Sequence, residues 1–168
     1  MDGNESIYHT LWPRNSTVKK FADTYVSSFE RTHSTYIIFD RYDKHSIKYH
    51  ERQRWAKGSQ FHQYVLSSNT ILTAKDVIMK SDVNKHALIQ YLCDANKMNP
   101  QLQLIRDKCE YHHEEADVKI VSYLLKLSPQ KNHIQILDID IDIIVLLVFF
   151  FGVYKPAAQV SMKNMTER

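Results

Sequence analysis

Apolar residues recur at helical spacing at Val18, Phe21, Ala22, Tyr25, Val26 and Phe29, which predicts a helix with Ser16 or Thr17 as its cap. Thr35 to Phe39 is a short β-rich apolar run ending on Asp40, the pattern of a buried strand in a parallel sheet. Residues 41–57 are polar and read as loop passing into helix. Residues 61–73 carry no clear period. Asp82 reads as the cap of a helix through about Asn96, with Leu88, Leu92 and Ala95 turned inward. Pro100 forces a break, and Leu102 to Ile105 predicts a short strand. A further helix is expected over 113–127, with Ala116, Ile120, Val121, Leu124 and Leu127 on one face, followed by a strand at Ile134 to Leu137. The apolar run after Asp142 fits a strand or a short helix equally, because periodicity does not separate the two in so short a run. Strands alternating with helices predict an α/β class with a mostly parallel central sheet flanked by helices. Residues 1–15 read as a loose leader, 16–154 as one domain and 155–168 as a flexible tail.

Length changes this picture little: 168 residues suit one domain with a real core. With 43% apolar and 24% charged residues, the chain has a globular rather than a disordered composition. Gly3, Gly58 and Gly152 are too far apart for a G-x-G-x-x-G fingerprint or a P-loop. Cys93 and Cys109 form no metal spacing and no disulfide framework, which points to a reducing compartment. No basic start leads into an apolar run, so no signal peptide is expected, and an intracellular site (nucleus or cytoplasm) follows. The longest apolar stretch, Ile143 to Val153, is eleven residues, short of the ~20 that a transmembrane helix needs. A C-terminal membrane anchor is therefore the weakest of the readings, and no membrane partner is expected.

Charge is informative locally. The net charge of +3 conceals two opposed stretches. Residues 41–57 hold six basic residues (Arg41, Lys44, Lys48, Arg52, Arg54, Lys57) against two acids, whereas 107–142 hold eight acids against four lysines. The acids also fall at element ends: Asp40 after one strand, Glu114, Glu115 and Asp117 at a helix start, and Asp138, Asp140 and Asp142 after another strand. Ligands of open α/β sheets bind at the carboxyl ends of strands. Carboxylates gathered there repel one another unless a cation sits among them, and hard oxygen donors suit Mg²⁺ or Mn²⁺. Each acid also has a plainer role open to it. Asp40 could cap a turn, Glu114 and Glu115 could complement a helix dipole, and Asp-Ile-Asp-Ile-Asp could be an alternating edge strand. His112 and His113 lack the H-E-x-x-H spacing of a zinc site, and neither cysteine has an activating pattern.

His112-His113-Glu114-Glu115-Ala116-Asp117, then a helix, then Ile136-Leu137-Asp138-Ile139-Asp140-Ile141-Asp142-Ile143, resembles the PIN-like nuclease superfamily in its flap-endonuclease-like branch. Phe21-Ala22-Asp23-Thr24-Tyr25, Phe39-Asp40-Arg41-Tyr42 and Ser46-Ile47-Lys48 bring it closer to uncharacterised transposon-associated proteins of animal genomes. The similarity spans roughly residues 10–152. It implies a PIN-like fold, truncated at its C-terminus, and nucleic-acid phosphodiester hydrolysis dependent on Mg²⁺ or Mn²⁺, with two ions in a complete site. By position it implies Asp40, Glu115, Asp117, Asp140 and Asp142 as catalytic metal ligands, and Lys48, Arg52 and Arg54 as phosphate contacts. Two departures stand out. The branch carries a further acid on a strand ahead of the one ending here at Asp40, whereas Asp2 and Glu5 fall in the leader. Ile139 and Ile141 occupy spacer positions where a Thr could support a carboxylate. The alternative implied is an inactive PIN-like scaffold that binds nucleic acid or protein.

Overall fold

The computed structural model describes residues 1–29, 34–40, 62–106, 116–138 and 140–163. Among these are six α-helices and four short strands. The chain divides into two compact units. The first comprises Met1–His9, Tyr36–Asp40 and Ile105–Arg168, and the second comprises Thr10–Thr35 and Arg41–Leu104. The mixed α/β class is as expected. A single central sheet is not found: each sheet among the described residues has two strands.

In the second unit, helix α2 (Val18–Ser27) buries Val18, Phe21, Ala22 and Tyr25, the stripe its sequence predicts. Thr17 caps it, Oγ1 accepting from the Lys20 N–H at 3.2 Å. The aromatic rings of Trp12, Phe21, Tyr25 and Phe29 follow one another with centroids 4.6, 6.1 and 5.2 Å apart. Helix α3 (Lys75–Met79) is short, and α4 (Asp82–Ala95) is capped by Ser81, one residue before the expected Asp82. Ser81 Oγ accepts the Asn84 N–H. Ala95 is exposed; Asn96 is buried in its place and donates to the Leu102 carbonyl at 2.7 Å.

Strands β1 (Thr35–Ile38) and β2 (Leu102–Ile105) form one sheet. The Thr35 N–H donates to the Gln101 carbonyl and the Phe39 N–H to that of Ile105, both at 2.8 Å, so the two strands advance in parallel. The first residues are not a loose leader. The Ile38 N–H donates to the Met1 carbonyl at 2.9 Å, Asp2 bridges Ile38 in parallel, and Gly3–His9 form helix α1 with Gly3, Ser6 and Ile7 buried. Gly3 lies against the buried Phe39 ring, where a Cβ would collide with it.

The rest of the first unit is helix α5 (Ala116–Leu127), strand β3 (His133–Leu137), helix α6 (Ile141–Tyr154) and strand β4 (Gln159–Lys163). Strands β3 and β4 pair in parallel from His133↔Gln159 to Leu137↔Lys163, with α6 as their crossover. The run after Asp142 is thus a helix, and the expected tail contains a strand. Ile38, Ile105, Ile120, Val121, Leu124, Ile136, Ile143 and Leu147 form the core, with Val160 and Met162 of β4 packed against it.

Candidate metal centre

At the first described residue of helix α5, a carboxylate from another segment receives the backbone N–H. Asp40 Oδ1, just beyond β1, accepts from Ala116 N at 2.8 Å, and its Oδ2 accepts from Asn4 Nδ2 at 2.9 Å. A carboxylate at a helix N-terminus satisfies an otherwise unpaired donor and complements the macrodipole. Asp117 consequently enters the first turn of α5. The turn from β3 into α6 uses the same chemistry twice. Asp138 Oδ1 accepts the Asp140 N–H at 2.9 Å, and Asp140 Oδ1 accepts the Asp142 N–H at 3.0 Å as the cap of α6. The alternating aspartates therefore fold the chain rather than form an edge strand.

These two helix starts bring Asp117, Asp140 and Asp142 together. One carboxylate oxygen from each lies within 4.8 Å of the others, with Asp117 half-buried and the other two exposed. Three hard anionic donors at that spacing could hold a divalent cation and leave positions open for water or substrate oxygens.

A second group of acids is more deeply placed. Asp2 Oδ1 accepts the Glu5 N–H at 2.7 Å at the start of α1. Burial, reinforced by the charges of Asp40 and Asp138, pushes the Asp2 carboxyl up to about 7 from 3.8. Glu5 is also raised, first by burial and then by Asp138, while His9 at 3.5 Å opposes the rise. Asp138 is 4% exposed, and its Oδ2 has no hydrogen-bond partner among the described residues. An orphaned buried carboxylate oxygen beside other acids is a position a cation would satisfy. Burial lowers the pKa of the Met1 amine, which donates to the Tyr36 carbonyl at 3.3 Å.

Of the expected site residues, Asp117, Asp140 and Asp142 converge. Asp40 lies outside that group of three; it holds the α5 start one residue from Asp117. Glu115, Lys48, Arg52 and Arg54 lie outside the described residues. Reading the sequence misplaces Asp2 and Glu5, because a bridge of one residue pair is too short to show a period-2 pattern. It also passes over Lys119, which is 1% exposed and donates from Nζ to the Phe39 carbonyl at 2.9 Å and the Arg106 carbonyl at 3.0 Å. The available signal is a lysine on the apolar face of α5, three residues after Ala116.

Compared with protein-family models, with curated proteins and with solved structures, the chain gives no match.

Proposed function

We propose that the chain is a PIN-like nuclease domain that hydrolyses nucleic-acid phosphodiesters with Mg²⁺ or Mn²⁺. The convergence of Asp117, Asp140 and Asp142 carries this reading. In it these three residues hold a cation, and Asp40 supports Asp117 by accepting the N–H of the neighbouring Ala116. Glu115 belongs to the same set by its motif, and Lys48, Arg52 and Arg54 grip the phosphate backbone. A divalent ion held there would polarise the phosphodiester and lower the pKa of a bound water. The side chains orient that ion: Asp140 is fixed by the two hydrogen bonds it makes along the Asp138–Asp142 turn, and Asp117 by the Asp40-capped start of α5.

The test uses the purified full chain, single-stranded and branched DNA and RNA, and Mn²⁺ or a chelator. Cleavage that needs Mn²⁺ and disappears in Asp140→Asn/Asp142→Asn supports the reading. Asparagine at 140 keeps an oxygen for the Asp142 N–H, so loss of cleavage would report on charge rather than folding. Equal cleavage by the double variant would refute the assignment. A second reading, an inactive scaffold, is favoured by the engagement of both Asp40 oxygens with protein donors. It predicts no heat of Mn²⁺ binding at millimolar metal.

A further inference from the structure

Helix α6 runs Ile-Asp-Ile-Ile-Val-Leu-Leu-Val-Phe-Phe-Phe-Gly-Val-Tyr, with no charged residue after Asp142. A helix apolar on every side belongs in an interior. Of its fourteen residues, however, only Ile143 and Leu147 are buried. Ile144, Val145, Val148, Phe149, Val153 and Tyr154 are between 45% and 71% exposed. The core of the first unit thus covers one side of α6, and among the described residues the other side is left exposed.

We propose that this face pairs with the same face of a second copy, making the protein a homodimer. Three observations select that occupant. Ile141, Ile144, Val145, Val148, Phe149 and Val153 together present on the order of 700 Å² of surface, which exceeds the usual largest patch of a monomer and approaches one partner's share of a standard interface. Beyond Asp142 in its first turn the face carries no charge, so a two-fold axis placed toward its middle brings like against like there with little repulsion to offset. Ile141, Val145, Val148 and Gly152 follow the four–three–four spacing of a helix-pairing seam, and a Cβ added at Gly152 meets no atom within 4 Å, leaving room for close approach. A two-fold axis perpendicular to the helix near Val148 pairs the α6 helices antiparallel, with opposed macrodipoles. A bilayer is a poorer occupant, since no described helix is long and apolar enough to cross one.

The experiment is sedimentation equilibrium of the full chain between 1 and 100 μM, beside Val148→Asp. A dimer of twice 19.8 kDa in the native chain is the expected result, with association weakened on the order of 100-fold or more by a carboxylate placed at the centre of the apolar contact. Val148 is on the surface, so circular dichroism of the variant should match the native chain. Val148→Cys supplies an independent reading: oxidation should link two copies through position 148, while the more exposed Val65→Cys in the same background should not do so. A monomer at 100 μM, a dimer indifferent to Val148→Asp, or equal cross-linking at positions 148 and 65 would each overturn the proposal. So would binding to neutral phosphatidylcholine vesicles without self-association.

Discussion

Replacing Asp2 by Asn isolates the energetic cost of the inner acids. The folded chain holds the Asp2 proton up to about pH 7, against 3.8 in the unfolded chain. Between those values the folded state binds more protons than the unfolded state, so stability falls as pH rises through this window. The contribution is complete below pH 3.8 and lost above about pH 7. A rise of that size corresponds to about 4 kcal/mol at most, because each tenfold change in proton affinity is worth about 1.4 kcal/mol. Asparagine keeps the oxygen that accepts the Glu5 N–H at 2.7 Å and never ionises. In urea unfolding followed by far-ultraviolet dichroism, Asp2→Asn should match the native chain near pH 4. It should exceed it by up to about 4 kcal/mol at pH 8. The other carboxylates are present in both proteins, so the difference between the two curves reports Asp2 together with its coupling to Asp40 and Asp138. Parallel curves across the range would refute both the burial and its cause. Mn²⁺ at pH 8 should narrow the gap by stabilising the native chain, because a cation removes the repulsion that the substitution removes chemically.

Three further perturbations probe the same unit. Gly3→Ala should cost about 1–3 kcal/mol in the same assay, since its Cβ would run into the buried Phe39 ring and push the chain start off β1. Lys119→Met should cost about 3 kcal/mol or more, because it strips two carbonyl groups, those of Phe39 and Arg106, of a charged donor. Asp140→Ala should lose about 1 kcal/mol through the α6 cap as well as Mn²⁺ affinity by calorimetry, whereas Asp140→Asn should lose the affinity and keep the stability.

The elements most readable from sequence are those with strong local periods. Helix α2 and the buried stripe of α5 were marked by their apolar spacing, and β2 by a short run after Pro100. Where the local signal is weak, tertiary pairing decided the outcome. Strand β4 has only Val160 and Met162 as inward positions between Gln159, Ser161 and Lys163, and it forms because β3 offers it a partner in register. Helix α1 follows a single bridge to Ile38 and packs around Ile7. The run after Asp142 is ambiguous by period and becomes a helix because Asp140 receives the Asp142 N–H.

The candidate centre divides along the same line. Sequence alone placed Asp117, Asp140 and Asp142 at element ends, because alternation and helix-start composition are local properties. That these three carboxylates share one point in space is a property of the fold, produced by two helix starts brought side by side. The involvement of Asp2 was invisible in the chain. It arises from a parallel bridge between residue 2 and residue 38, and burial beside Asp40 and Asp138 then raises its proton affinity. Hydrophobic pattern determines which segments become helices or strands. Long-range packing determines which carboxylates lose water and face one another, and that desolvation sets the chemistry available to them.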